Sequence, residues 1–259
     1  MSVAAENVER LVKSSERVRD LGEVFTPAAT VKEMLEMLPA NMWAVHPSPT
    51  FLEPACGDGN FLIAIFNRKL VEVARSFDHG KLPAGDSEES ALFHALEALA
   101  SIYAVDISVE NIVGGTPGHE IGARLRLLTA FVSWVQKTIN KRLTERSPAL
   151  RAATWIVEHN LLVGNILPFD VTGKPTGRNA LPIIEYHFTP KDLCLRLCKT
   201  TIGDVIDATH AETAVAMSLF GPVEPQEFWR GKALKLGDAE RVDAPTLKGP
   251  ARNGHGSRR

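Results

Sequence analysis

A chain of 259 residues with 44% hydrophobic content is long enough for one sizeable core, so a single α/β domain is the default expectation. Its net charge of −2 excludes a globally basic nucleic-acid coat and confines any DNA contact to a local patch. No apolar run approaches the ~20 residues of a membrane span, the residues from Met1 to Asn7 lack a basic-then-apolar leader, and three cysteines suit neither a disulfide framework nor a four-ligand metal site. A cytoplasmic protein with reduced thiols and no membrane partner is expected.

In chain order, residues 4–19 are polar with Val8, Leu11 and Val12 at helical spacing, which predicts a short amphipathic helix. Gly22-Glu23-Val24-Phe25-Thr26-Pro27 then leads into Val31, Met34, Leu35 and Leu38, a helix whose first turn is set by Thr26 and Pro27. The densest signal follows at residues 51–62. Phe51 and Leu52 form an apolar strand end, Glu53-Pro54-Ala55-Cys56-Gly57-Asp58-Gly59 an acidic turn, and Phe61, Leu62, Ile63 and Ile65 open an apolar helix. Such a strand, turn and helix make a nucleotide-cofactor pocket. The carboxylates of Glu53 and Asp58 would repel a pyrophosphate but suit an amine and a sulfonium, which favours S-adenosylmethionine over NAD or ATP.

The ordered string 53–62 resembles the first cofactor motif of S-adenosylmethionine-dependent DNA methyltransferases, with Glu53 in place of the leading Asp and Asp58 in place of Ser. The segment 22–27 resembles the G-x-V-F-T-P element of adenine-specific DNA methyltransferases from restriction systems and phages. The resemblance covers residues 18–167. It implies a Rossmann-like class I three-layer α/β fold, a cofactor whose methionine end is held by Phe25, Thr26, Pro27, Glu53, Gly57 and Asp58, and DNA as partner, in the host cytoplasm if phage-encoded.

Beyond the cofactor helix, His79 to Ser90 reads as a surface loop and Ala91–Leu99 as a second helix. Ser101 to Ile107 reads as a buried strand ending in an acid. At such a strand tip an acid accepts hydrogen bonds from ribose hydroxyls, so Asp106 and the adjoining Ile107 are candidate cofactor residues; a helix amino cap is the alternative reading of Asp106. A long helix is predicted from Ile121 to Leu143, a short one over 147–158, and a strand with its loop from Asn160 to Leu167. The last is similar to the family element N-I-x-x-G-D-x-L, which implies that Asn165 contacts the cofactor's adenine. Arg124, Arg126, Lys137, Lys141, Arg142, Arg146 and Arg151 form a local basic excess, either for phosphate or as a solvated helix face.

The distal half departs from the family. Amino-methyltransferases present Asp- or Asn-Pro-Pro-Tyr or Phe to the flipped base, but no two prolines are adjacent anywhere in this chain. Cys56, Cys194 and Cys198 follow Ala, Leu and Leu rather than the proline of cytosine-C5 enzymes, so no catalytic residue is assigned. A β-hairpin is expected instead, with Ile184, Tyr186 and Phe188 on one face, a turn at 189–192, and Leu193, Leu195 and Leu197 alternating beyond it. A helix over 204–220, an extended segment at 222–229 and a basic Gly-rich tail complete the chain. The domain division is then an N-terminal helix (1–21), a cofactor-binding domain (22–221) and a C-terminal segment (222–259).

Two functions lead on this reading, and a third, methylation of a small molecule or protein, is opposed by the G-x-V-F-T-P-like element at residues 22–27. One is an adenine-N6 DNA methyltransferase, with a homo-oligomer or partner subunit supplying target recognition. The other is a cofactor-binding, DNA-associated regulator, decoy or subunit without transfer chemistry.

Overall fold

The computed structural model describes residues 26–207, apart from 84, 86 and 117–119, together with a strand at Ala233–Lys235. The predicted helix at 4–19, Phe25, most of the predicted helix 204–220, the segment 222–229 and the basic tail lie outside the described residues.

Three short strands, β1 (Phe51–Glu53), β2 (Ile102–Asp106) and β3 (Leu161–Val163), form a parallel sheet in the order β1-β2-β3. Parallel neighbours need crossovers, and helices supply them: α2 (Asn60–Asp78) and α3 (Glu88–Ala100) between β1 and β2; α4 (Val109–Ile112), α5 (Ala123–Trp134) and α6 (Pro148–Asn160) between β2 and β3. A further helix, α1 (Ala28–Glu36), precedes the sheet, with Pro27 at its amino cap. No helix among the described residues is long and apolar enough to cross a membrane.

Helix α3 occupies the centre of the core. Ser87 Oγ accepts from the backbone N–H of Ser90, and Glu88 and Glu89 in the first turn complement the helix dipole. That cap starts the helix three residues before the expected Ala91. From Ser90 to Ala100 every residue is buried, as befits a helix that is apolar nearly all round.

The predicted long helix 121–143 is broken. Helix α5 gives way at Val135–Ile139 to a π-turn that ends on Asn140 at φ 53°, in the left-handed region. Trp134, half-buried, donates its indole N–H to Leu70 O at 3.1 Å, which ties this junction to α2. Asn160 also differs from expectation. It closes α6 rather than opening a strand, and its amide donates to Ala100 O (2.9 Å) and Ile102 O (3.1 Å), stitching α6 to the start of β2.

The hairpin is present as β4 (Pro182–Thr189) and β5 (Cys194–Thr201), with β6 (Ala233–Lys235) antiparallel to β5. Ile184, Phe188, Leu195 and Leu197 are buried, so the alternation expected from the sequence is the one that packs. This second sheet does not extend the first; it docks on the core. Phe93 meets Phe188 edge-on at 5.2 Å, Tyr103 donates its hydroxyl to Ile184 O (2.6 Å), and Tyr186 donates to Asn160 Oδ1 (2.7 Å). Burial holds both phenols well above the ordinary tyrosine range. Among the described residues, β1 is therefore an edge strand with Leu52 exposed.

Candidate functional site

The sheet ladder continues past the strands at their carboxyl ends. Cys56 N donates to Val105 O at 3.2 Å and Gly164 N to Asp106 O at 2.9 Å, so the turns after β1, β2 and β3 are drawn side by side. They enclose a cleft of about 650 Å³, a size typical of small-molecule sites. Thr26, Glu53, Pro54, Ala55, Cys56, Gly57, Asp106, Ile107 and Asn165 all line it. Residues separated by more than a hundred positions in sequence thus meet at one end of the parallel strands, where α/β proteins place ligands.

Asp106 is the keystone of this cleft. Its Oδ2 accepts from Gly57 N (2.8 Å), and its Oδ1 from Ser108 N (2.8 Å) and Asn111 Nδ2 (3.1 Å). A carboxylate accepts about four hydrogen bonds; one here fixes the glycine turn to the tip of β2, two hold the segment after β2, and about one direction is left for a hydroxyl. Asn111, which the sequence reading missed, is buried and lies on α4 within reach of that carboxylate. Its only signal was a position five residues beyond the acid.

The cleft has two chemical sides. Glu53, half-buried, accepts from Ala55 N through Oε1 at 3.3 Å and presents its charge to the cleft. Ile107 is 62% exposed and Leu167 59%, an apolar pair that suits the face of a flat ring. Asn165 lies next to that pair, with Oδ1 accepting from Leu167 N at 2.9 Å. Thr26 is tied to the glycine-turn helix by a long contact from Asn60 Nδ2 to its carbonyl (3.5 Å). Gly57 adopts φ 54°, which a side chain would strain, and lines the cleft directly.

Three of the expected cofactor residues have other tasks. Asp58 does not line the cleft. Arg126 of α5 lies 3.0 Å from Asp58 Oδ1, and its guanidinium also donates to Asp58 O (2.8 Å) and Asn60 Oδ1 (3.0 Å). This ion pair turns the carboxylate toward α5 and away from the position where it was expected to hold a methionine moiety. Gly59, at φ 94°, serves packing, because a Cβ there would stand 3.0 Å from Ala123 Cβ. Pro27 caps α1 and its carbonyl accepts from Val31 N at 3.0 Å. Phe25 lies outside the described residues.

Cys56 is buried, and its thiol is pushed far above the ordinary range, first by burial and then by the nearby charges of Asp106 and Glu53. Its side chain packs into the core beneath the turn. The basic run of 124–151 divides. Arg124 donates to Leu161 O (2.7 Å) and Glu158 O (3.0 Å), and with Arg126 it is occupied in holding the fold. Lys137, Lys141, Arg142 and Arg146 remain exposed.

Fold and site together define an α/β protein with a cleft at the carboxyl edge of a parallel sheet. No protein-family model, no curated protein and no solved structure matches the chain significantly.

Proposed function

We propose that the cleft binds S-adenosylmethionine within a Rossmann-like, class I methyltransferase fold, and that the protein is an adenine-N6 DNA methyltransferase. The observation that carries this reading is the convergence of Thr26, Glu53, Gly57, Asp106, Ile107 and Asn165 on one 650 Å³ cleft, in the order in which the methyltransferase-like motifs occur along the chain. The donor set fits the cofactor. A carboxylate stands where an amine and a sulfonium need charge, one acceptor direction of Asp106 remains for a ribose hydroxyl, and Ile107 and Leu167 offer an apolar bed beside the polar edge of Asn165.

When bound, the cofactor supplies an electrophilic methyl group. The chain's own part is to position it. Asp106 holds the glycine turn closed through Gly57 N, Glu53 orients the charged end, and Asn165 reads the adenine edge. The turn is preorganised by backbone bonds rather than by the ligand, which lowers the ordering cost of binding.

A second reading is favoured by a specific observation. No adjacent prolines occur, and no described strand follows β3 onto the free edge of β1. A cofactor-binding, DNA-associated protein without transfer activity would need neither.

Calorimetry with S-adenosylmethionine tests the shared part: binding is expected, and it should weaken in Glu53→Ala. Absence of binding to the folded full chain refutes both readings. Transfer of tritiated methyl groups to unmethylated DNA, lost in Glu53→Ala, decides for the enzyme; binding without transfer decides for the second reading.

A further inference from the structure

A second polar site lies at the opposite ends of the same strands. Thr50 and Ser101, which immediately precede β1 and β2, line a cavity of about 440 Å³ closed on its other side by Tyr186 and Phe188 of β4. Beside it, Glu97 of α3 is 5% exposed and bears a carboxylate flanked by two imidazoles. His46 Nδ1 lies 2.7 Å from Glu97 Oε1, and His94 Nδ1 lies 3.0 Å from Glu97 Oε2. The candidate ligand atoms of all three residues lie within 4.8 Å of one another.

We propose that His46, His94 and Glu97 form a binding site for a divalent transition-metal ion, zinc by preference, whose fourth position opens to the cavity. Two imidazole nitrogens and one carboxylate are a donor set for zinc rather than for magnesium or calcium, which take oxygen ligands. Bonds of about 2.0–2.1 Å in a tetrahedral site hold ligand atoms roughly 3.3 Å apart; the two imidazole nitrogens lie 2.7 and 3.0 Å from the two oxygens of Glu97, and all candidate atoms fall within 4.8 Å of one another. His46 and Glu97 line the cavity, which leaves room there for water or another ligand.

The surroundings support a carboxylate held ready for a cation. Ser48 N donates to Glu97 Oε1 at 3.1 Å, while buried Lys69 donates to Ser48 Oγ (2.8 Å) and Pro49 O (2.6 Å), fixing the loop that carries His46. Such outer contacts orient ligating carboxylates. His94 is anchored from the helix side. Its ring is 0% exposed and its Nε2 has no hydrogen-bond partner, so the ring's one polar anchor is Nδ1 at Glu97. Helical spacing explains the pairing, since residues three apart share one face of α3.

This site is independent of the cleft and of its ligand. The test uses the untagged full chain, stripped with a chelator and confirmed folded by circular dichroism, then titrated with zinc alone. One equivalent should bind and raise the melting temperature, and cobalt in its place should give the visible absorption of a tetrahedral site. His46→Ala, at a partly exposed loop residue and with its folding checked by circular dichroism, should abolish both effects, as should Glu97→Gln. His187→Ala, which alters the same cavity without removing a ligand, should retain them. Failure of the folded chain to bind zinc stoichiometrically, or binding undiminished in His46→Ala, overturns the assignment.

Discussion

The two ends of the parallel sheet are built on opposite plans. At the carboxyl ends, the cleft is made of turns, and one buried acid, Asp106, gathers two backbone N–H groups and the Asn111 amide. At the amino ends, the cavity is made of side chains from a loop, a helix and a hairpin, with Glu97 gathering His46, His94 and Ser48 N. A contiguous turn leaves a contiguous motif in the sequence. A site assembled from residues 46, 94, 97 and 186 leaves none, because what brings those positions together is helix and hairpin packing.

Substitutions can separate the two ends. The largest effect is expected for Phe188→Ala, which removes a buried ring packed on Phe93. It should cost about 3–5 kcal/mol in chemical denaturation, while any S-adenosylmethionine binding that calorimetry detects in the unsubstituted chain stays unchanged in the remaining folded protein. Equal loss at the cleft would mean that the two ends are coupled. Asp106→Ala comes next. Orphaning Gly57 N, Ser108 N and Asn111 Nδ2 should cost about 2–3 kcal/mol and, unlike Phe188→Ala, abolish ligand binding measured by calorimetry.

Gly59→Ala should be milder, about 1–2 kcal/mol by denaturation, from the left-handed backbone and the approach to Ala123. Since Gly59 does not line the cleft, ligand affinity should change little; a large loss would place it in the site after all. The smallest effect concerns pH and sharpens the hairpin side. Burial raises the Glu185 carboxyl from 4.5 to about 7. A carboxyl protonated more readily when folded contributes stability below pH 4.5 that is lost as the pH rises to about 7. Glu185→Gln should therefore flatten this decline in denaturation midpoints between those limits, and a profile identical to that of the unsubstituted chain would contradict it.

Much of the fold was legible in advance. The strand, acidic glycine turn and helix at 51–65, the strand ending at Asp106 and the hairpin with Ile184 and Phe188 inward all follow from apolar periodicity and turn chemistry. Other features were not. The break of the predicted helix at Val135 follows no glycine or proline, and Asn160 reads as a strand residue until its amide is seen spanning Ala100 and Ile102. Asp58 belongs to a ligand motif by position yet faces Arg126, a partner sixty-eight residues away.

By itself, then, the sequence determined which segments become strands and turns, because alternation, glycine and capping residues act over a few positions. It also marked the glycine turn that lines the cleft. Only the tertiary structure decided which carboxylate lines the cleft, which one is spent on an arginine, and that two histidines meet a glutamate at the far end of the sheet. Those outcomes depend on distances of a few ångströms between elements far apart in the chain, and short-range or directional electrostatics and hydrogen bonds are settled only once packing has set them.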